Sequence, residues 1–280
     1  MNGRNEAETR AELVDPALNE AGWGVVEGSR VRREAITLGR LLGSGIRGNQ
    51  LKADYVLVFK NQKLASIEAK RESLADTAKI LSTYGNVFML RTDSEKKLKE
   101  FKKHINIPII NGLSPSSHPT QVLSDIFTIE EIKKKHISKL NICWIGDANN
   151  NVINSLIAAS VKFSFNLNIG CPKKYEPKKP LLRWAKKNKG KINIFNHAKN
   201  AANNADVIFT DKVISMNDKV NKAKKIKDFK KFQVTSKIIN CAKRDVIFLH
   251  CLPRGSEVSN EVFLGKHSKV WLQALNRVYL

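Results

Sequence analysis

Residues 141–162 read NICWIGDANNNVINSLIAASVK, and this stretch decides the fold. An apolar run, NICWIG (141–146), predicts a strand, and the polar loop after it leads into a helix. Further apolar runs alternate with helical stretches, and they predict strands at 86–91, 107–110, 163–169, 206–211 and 245–250. Such alternation predicts an α/β fold with a parallel sheet flanked by helices.

Polar residues follow three of these predicted strands. They are Asn150 or Asn151 at a helix start, Asp211 with Ser215, and Cys251. Open parallel sheets bind ligands beyond the carboxyl ends of their strands, so these loops form a candidate site. Their amide, carboxylate, hydroxyl and thiol groups suit an amino-acid zwitterion with an attacking amine.

A second group of residues suits an anion. Arg91 ends the strand at 86–91, and His118 and Gln121 open an amphipathic helix for which Ser117 is a candidate N-cap. Helix N-termini and Arg side chains favour phosphate. Taken singly, each residue has an ordinary role as a cap, a turn residue or a core thiol. Together, an anion site and an amino-acid site predict transfer of a group from an activated phosphate to an amine.

Several motifs occur in a fixed order between residues 72 and 280. They read ESLADTAKILSTYGNVFMLRT, INGLSPSSHPTQVLSDIFTI, WIGDANNNVINSL, YEP, VIFTDKVISMN, FQVTSKI, IFLHCLPRGSEVSNEVF and ALNR. In these motifs the sequence resembles the ornithine carbamoyltransferases. The resemblance implies a trimeric, cofactor-free enzyme in which the neutral δ-amine of ornithine attacks carbamoyl phosphate.

The resemblance also implies roles for individual residues. Arg91, His118 and Cys251 are implied to be catalytic, with Arg91 and His118 holding the tetrahedral oxyanion. Carbamoyl phosphate is implied to bind to Arg91, His118, Pro119, Thr120, Gln121 and Arg277. Ornithine is implied to bind to Asn150 or Asn151, Asp211, Ser215, Met216, Cys251 and Leu252.

The sequence departs from the family pattern at several places. GDANNNVINS carries one extra residue, which leaves Asn150 and Asn151 as alternatives. Val213 stands where the family has Trp, and Asn217 where it has Gly. The family's Ser-Thr-Arg-Thr-Arg phosphate loop does not occur in the 280 residues, so we expect impaired activity.

The first 70 residues predict a different kind of structure. Spacing predicts a helix over 6–21, and ADYVLVF (53–59) with LASIEAK (64–70) predicts a β-hairpin. This part resembles the nuclease domain, of the PD-(D/E)xK kind, at the start of the type I restriction endonuclease motor subunit. The resemblance implies that Asp54 and Glu68 hold Mg²⁺ while Lys70 assists the attacking water and Glu8 is an auxiliary acid. With no GxxxxGK[ST] motif, translocation along DNA is not expected.

Composition limits the remaining function classes. Residues 1–70 hold 11 basic and nine acidic residues, whereas residues 71–280 hold 38 basic and 17 acidic ones. The Lys residues are scattered along helical stretches, which favours solvated helix faces over a nucleic-acid surface. The four Cys residues lack CxxC spacing, so a zinc site is not expected. No apolar run is long enough for a membrane span, and a cytoplasmic location is therefore expected.

The sequence therefore predicts three segments. These are a small α+β nuclease-like fragment (1–71), a remnant of a carbamoyl-phosphate-binding domain (72–117) and an ornithine-binding domain (118–280). The predicted activity is that of an impaired ornithine carbamoyltransferase. The alternatives are a DNA nuclease fragment, with Mg²⁺ as its only cofactor, and a non-functional gene fusion.

Overall fold

A computed structural model describes residues 10–36, 52–67, 74–214 and 222–279. The chain divides into two compact units. One comprises Met1–Leu90 with Lys96–Ile110, and the other comprises Arg91–Glu95 with Asn111–Leu280. The domain boundaries expected after residues 71 and 117 stay predictions.

The first part of the chain forms an antiparallel sheet of three strands, in the order β1-β2-β3. A π-helical turn at Arg10–Val14 leads into the first helix. The elements up to residue 113 are α1 (Asp15–Glu20), β1 (Ser29–Ile36), β2 (Lys52–Phe59), β3 (Gln62–Ile67), α2 (Leu74–Leu81), β4 (Phe88–Arg91), α3 (Glu95–His104) and β5 (Ile109–Leu113). Strands β4 and β5 form a separate two-stranded sheet.

The predicted hairpin is present, but its turn is shorter than the four residues between the predicted strands. Lys60 and Asn61 both have positive φ angles, 46° and 65°, and this conformation reverses an antiparallel pair within two residues. Sequence reasoning missed β1, which pairs with β2 along most of its length. Among the described residues of the predicted opening helix, the α-helical part runs from Asp15 to Glu20, and Gly22, at φ 84°, lies just beyond its end.

The second unit is built around a parallel sheet of five strands in the order β10-β9-β6-β7-β8. Its strands are β6 (Asn141–Ile145), β7 (Asn166–Gly170), β8 (Lys191–Phe195), β9 (Val207–Thr210) and β10 (Ile247–His250). Its helices are α4 (Pro119–Lys133), α5 (Asn151–Lys162), α6 (Lys179–Lys187), α7 (Ala198–Ala202), α8 (Lys222–Phe229), α9 (Ser236–Ile239), α10 (Asn260–Phe263) and α11 (Val270–Asn276). The predicted α/β architecture is therefore confirmed.

The structure corrects several strand predictions. The strand expected at 163–169 begins at Asn166, because Ser164 takes a positive φ of 59° as the chain turns back after α5. The strand expected at 107–110 runs later, over Ile109–Leu113. Sequence reasoning missed β8, whose residues KINIF alternate apolar and polar side chains and lie at the sheet edge.

Both faces of the central sheet are covered, and β6 shows why its sequence is almost continuously apolar. Ile142 and Trp144 pack into a core with α4 and α5, whereas Cys143 and Ile145 pack into a second core on the opposite face. All four side chains are fully buried. A strand buried on both faces needs no polar alternation.

The strand order reverses at β6, and this reversal positions the candidate site. The chain runs outward from β6 through β7 to β8, then returns to the other side of β6 with β9 and β10. Gly146, at φ 138°, follows β6, and a Cβ there would lie 3.2 Å from Thr210 Oγ1 at the end of β9. The loops after β6 and β9 thus meet at the reversal point, where open α/β sheets bind ligands.

A matched pair of substitutions tests the core of this unit. Phe165→Ala removes a fully buried ring and is expected to lower the free energy of unfolding by about 3–5 kcal/mol. Phe127→Ala removes a ring that is 46% exposed, and we expect it to cost less than about half as much. Urea unfolding curves of the two variants check this. Equal losses of stability would contradict the assignment of Phe165 to the core.

Candidate active site

The loop after β6 is held by Asp147. The Asp147 carboxylate accepts a hydrogen bond from the Asn149 backbone N–H (2.9 Å) and lies 2.6 Å from Lys225 Nζ in a buried ion pair. The Trp144 indole N–H donates to the Asp147 carbonyl oxygen (3.2 Å). These contacts fix the polypeptide just before α5 begins.

The two candidate Asn residues have different surroundings. Asn150 is the N-cap of α5, and its Oδ1 accepts the backbone N–H groups two and three residues later, both at 3.0 Å. Its Nδ2 donates a long hydrogen bond to Asp211 Oδ2 (3.5 Å). Asn151 Nδ2 instead donates to the Ser114 carbonyl oxygen (3.0 Å). The structure therefore brings Asn150 to Asp211, while the choice between the two as an ornithine ligand stays a prediction.

Asp211 follows β9 and is the carboxylate of this loop. Its Oδ1 accepts a hydrogen bond from the Lys212 backbone N–H (2.7 Å). Burial raises the pKa of Asp211 to about 6, so the side chain is mostly ionised at pH 7 to 8 and suits an ammonium group. The predicted residues Ser215 and Met216 lie outside the described residues.

Glu257 links the loops after β9 and β10. Its Oε1 lies 2.8 Å from His250 Nε2 in a hydrogen bond, and both side chains are buried. Glu257 also accepts hydrogen bonds from the backbone N–H groups of Gly255 and, at 3.4 Å, Val213. Burial pushes the pKa of Glu257 upward, but the His250 and Gly255 hydrogen bonds outweigh it and lower the pKa. The pair fixes the loop that carries Cys251.

Cys251 lies directly after β10 and is buried. Burial, with the neighbouring carboxylates of Asp211 and Asp125, raises the pKa of its thiol well above the usual range. The residue is therefore a neutral thiol at physiological pH rather than a thiolate nucleophile. Leu252 follows it, with 44% of its surface exposed, and precedes a cis peptide bond to Pro253.

The start of α4 gathers the residues predicted to bind an anion. His118 donates its backbone N–H to Ser155 Oγ (2.7 Å), and its Nδ1 lies 3.3 Å from Thr120 Oγ1. Burial, together with the positive charges of Arg277 and Arg91, lowers the pKa of His118 to about 4. The imidazole is therefore neutral at physiological pH, although two cations lie near it.

The predicted N-cap of this helix is wrong. His118, not Ser117, occupies the cap position, and no side chain caps the helix there. The Ser117 hydroxyl instead accepts a hydrogen bond from Asn111 Nδ2 (2.9 Å). Pro119 is the first residue of α4, where its missing N–H leaves no hydrogen bond unmade.

A buried chain of amides connects the start of α4 with β10. Gln121 Nε2 and Gln273 Nε2 both donate to Asp125 Oδ1, at 2.8 Å and 2.6 Å. Gln273 Oε1 accepts the His250 backbone N–H (3.0 Å). Burial raises the pKa of Asp125 to about 7. The charge of Arg277 also acts on Asp125 and on Cys251, so the two predicted groups of site residues are neighbours.

Sequence reasoning missed several residues that build this site. One of them is Asp125, which shares a helix face with the predicted residue Gln121 at i and i+4, a spacing that could have pointed to their pairing. The other missed side chains find partners far along the chain or on irregular loops, where spacing gives no signal. They are Asp147, Lys225, Glu257 and Gln273.

The family model for the Asp/Orn binding domain of aspartate/ornithine carbamoyltransferases matches residues 138–280. The chain belongs to the aspartate/ornithine carbamoyltransferase family. The carbamoyl-P binding domain of the same family matches residues 48–131, so both domains of these carbamoyltransferases are represented.

Individual carbamoyltransferases support the assignment. The chain is 43% identical over 214 residues to the ornithine carbamoyltransferase of Caldicellulosiruptor saccharolyticus, covering 74% of this chain and 69% of that protein. It is 41% identical over 210 residues to the enzyme of the same name from Methanocorpusculum labreanum, covering 74% and 68%. The crystal structure of anabolic ornithine carbamoyltransferase from Campylobacter jejuni superimposes with a TM-score of 0.70 at 35% identity, covering 75% and 71%.

These comparisons do not support the predicted nuclease fragment. The carbamoyl-P binding domain match begins at residue 48 and includes Asp54, Glu68 and Lys70. Asp54 lies in β2, whereas Glu8, Glu68 and Lys70 lie outside the described residues. The nuclease resemblance rested on the sequence of residues 7–34 and 53–70, and the second of these runs lies within the carbamoyl-P binding domain match.

Two further findings concern only the part of the chain that the structure describes. Residues 10–36, 52–67, 74–214 and 222–279 contain no group of three or more His, Cys, Asp or Glu side chains arranged to hold a metal ion. No helix in those ranges is both long and apolar enough to cross a bilayer.

The raised pKa of Asp125 predicts a pH-dependent stability. A carboxyl whose folded pKa is about 7, against 3.8 ordinarily, stabilises the fold below pH 4 and loses that contribution as the pH rises through 7. Asp125→Asn removes this titration. From pH 5 to pH 8 we expect its unfolding free energy to improve relative to the wild type by on the order of 2–3 kcal/mol.

Urea unfolding at pH 5, 6, 7 and 8 measures this difference. Asp245→Asn is the control, because the Asp245 side chain is 73% exposed and pairs with Lys133, which lowers its pKa. Its stability curve is expected to run parallel to that of the wild type over this range. A parallel curve for Asp125→Asn would contradict the buried, proton-binding state of Asp125.

Proposed function

We propose that the chain transfers the carbamoyl group of carbamoyl phosphate to the δ-amine of L-ornithine, giving citrulline and phosphate. The observation that carries the proposal is one juxtaposition. Arg277 and Arg91 lie near a neutral His118, Arg277 also lies near the Cys251 thiol, and the Asp211 carboxylate neighbours that thiol in turn. Membership of the family and the names of the relatives support the same reaction.

The anion side accounts for binding of carbamoyl phosphate. Arg91 and Arg277 carry the positive charge that a phosphate needs. Pro119 and Thr120 form the first turn of α4, and the N-terminus of this helix adds backbone N–H groups from Thr120 onward. A neutral His118 can donate one N–H to the carbonyl oxygen without adding a third cation. As that oxygen becomes an oxyanion in the transition state, the same donors bind it more strongly.

The amino-acid side accounts for binding of ornithine. Asp211 is an ionised acceptor for the α-ammonium group, and an Asn amide at 150 or 151 suits the α-carboxylate. Ser215 and Met216 are expected to complete this side. Cys251 and Leu252 would border the δ-amine, where a neutral thiol leaves the amine free to act as the nucleophile.

The reaction then needs no covalent enzyme intermediate and no cofactor. The lone pair of the neutral δ-amine forms a bond to the carbonyl carbon, giving a tetrahedral oxyanion. The bond from that carbon to the phosphate oxygen breaks as the carbonyl re-forms, and the nitrogen gives one proton to the departing phosphate. The enzyme contributes mainly by holding the δ-amine close to the carbonyl carbon in the orientation that the reaction requires.

Asp211→Asn tests the ornithine side. Losing one charged hydrogen bond, worth about 1.5–3 kcal/mol, is expected to raise the KM for ornithine about 10- to 100-fold. The KM for carbamoyl phosphate is expected to change much less. A citrulline-formation assay with each substrate varied in turn measures both constants.

The control for this experiment is Asp245→Asn, the same substitution at an exposed position. It is expected to leave both KM values within about twofold of the wild type. An unchanged KM for ornithine in Asp211→Asn would refute the site assignment, and a wild type without citrulline formation would refute the proposed reaction.

The phosphate side is expected to be weak. The sequence lacks the Ser-Thr-Arg-Thr-Arg run that the resemblance places around the phosphate, and two or three charged hydrogen bonds are lost with it. At about 1.5–3 kcal/mol each, affinity for carbamoyl phosphate should fall by about two to five orders of magnitude. Calorimetric titration beside the Caldicellulosiruptor saccharolyticus enzyme tests this, and equal affinities would refute the impairment.

The nuclease alternative, the fusion hypothesis, the trimeric state and the cytoplasmic location stay predictions. We do not expect DNA cleavage, since metal ligands must be held to within about 0.5 Å and the expected fragment ends directly after its hairpin. Incubation with plasmid and Mg²⁺ checks this. Nicking that disappears in Glu68→Ala would restore the nuclease alternative.

A further inference from the structure

The hydrogen-bonded chain Gln121–Asp125–Gln273 runs from α4 to β10 and ends at the backbone N–H of His250. The His250 N–H can only donate, so the atom of Gln273 that faces it at 3.0 Å is Oε1. Gln273 must then direct Nε2 toward Asp125 Oδ1, 2.6 Å away. The backbone of β10 therefore decides how the Gln273 carboxamide is oriented.

Asp125 in turn determines how the Gln121 carboxamide is oriented. An ionised carboxylate only accepts hydrogen bonds, so Gln121 also presents Nε2 to Asp125 Oδ1, at 2.8 Å. The other oxygen of Asp125 is buried and has no hydrogen-bond partner within the described ranges. One oxygen thus holds both amide groups, and turning Gln121 around would set two acceptors against each other.

The consequence lies at the free end of Gln121. With Nε2 engaged, Oε1 is the atom left to face a ligand, and within the described residues it has no hydrogen-bond partner. Gln121 and His118 lie at i+3 and i on α4, so the two side chains share a helix face. An acceptor there complements an N–H group of a ligand that His118 also contacts.

We propose that Asp125 is a positioning residue that fixes the Gln121 carboxamide with its oxygen toward the substrate. In this way it makes the site selective for a carbamoyl NH₂ over an acyl methyl group. The inference rests on the proposed function, since it assumes that carbamoyl phosphate binds beside His118. It adds the group that decides between carbamoyl and acetyl donors, which have nearly the same shape.

Two stable phosphonates provide the test. Phosphonoacetamide carries the carbamoyl NH₂, and acetonylphosphonate carries a methyl group in its place. The ratio of their dissociation constants at pH 8, measured by NMR titration into the millimolar range, reports NH₂ recognition alone. We expect the wild type to favour the amide at least about tenfold.

Variants of Asp125 should change this ratio. Asp125→Leu removes the acceptor and frees Gln121 to turn, so the ratio should fall to about one. Asp125→Asn keeps an acceptor but binds the two donors less strongly and can turn its NH₂ toward Gln121, so an intermediate ratio, at least about threefold below that of the wild type, is expected. When Gln121→Met is also present, neither substitution should alter the ratio further.

The outcomes separate the two hypotheses. A folded Asp125→Leu with an unchanged ratio overturns the inference, and if that variant does not fold, an unchanged ratio in Asp125→Asn does the same. An effect of Asp125→Asn that persists beside Gln121→Met also overturns it, because Asp125 would then not act through Gln121. A wild type that binds neither phosphonate overturns the inference, and one that also forms no citrulline overturns the proposed function as well.

Discussion

The parallel pairing of β6 with β9 is the constraint on which the site depends. Residues 142–144 pair with residues 207–209, although sequence-adjacent β7 occupies the other side of β6. The pairing requires the loops after both strands to meet, and Gly146 is the residue that allows the approach, because a Cβ would crowd Thr210. The Asn150 cap and the Asp211 carboxylate are neighbours only as a result of this strand order.

Buried charge is the main energetic cost of building the site, and each charge has a local compensation. Asp147 lies 2.6 Å from Lys225 Nζ, and Glu257 is hydrogen-bonded to His250. Burial raises the pKa of Asp125 to about 7, although two amide donors and the charge of Arg277 act in the opposite direction. Fixed donors and acceptors cost stability but give the loops a single arrangement.

Apolar runs predicted four of the five strands of the central sheet, because these strands are buried deeply enough to leave an apolar signal in the sequence. β8 gave no such signal, since its polar residues face solvent at an edge. Asp211 and Cys251 do follow strands, β9 and β10, as the sequence predicts. The positions of strand ends could not locate Gln273, whose bond to Asp125 spans 148 residues, or Glu257, which reaches His250 through an irregular loop. Such partners are set by tertiary packing, which local patterns do not encode.

The two substrate sides differ in how they handle protonation. On the anion side, burial together with the charges of Arg277 and Arg91 depresses the pKa of His118, so the cations that attract a phosphate also help to keep the imidazole neutral. A bound phosphate would offset those charges, which ties the protonation state of the imidazole to occupancy of the site. On the amine side, Asp211 has a raised pKa but remains mostly ionised at neutral pH. The opposite shifts leave a neutral donor on the anion side and an anionic acceptor on the amine side, which matches an anionic and a cationic substrate.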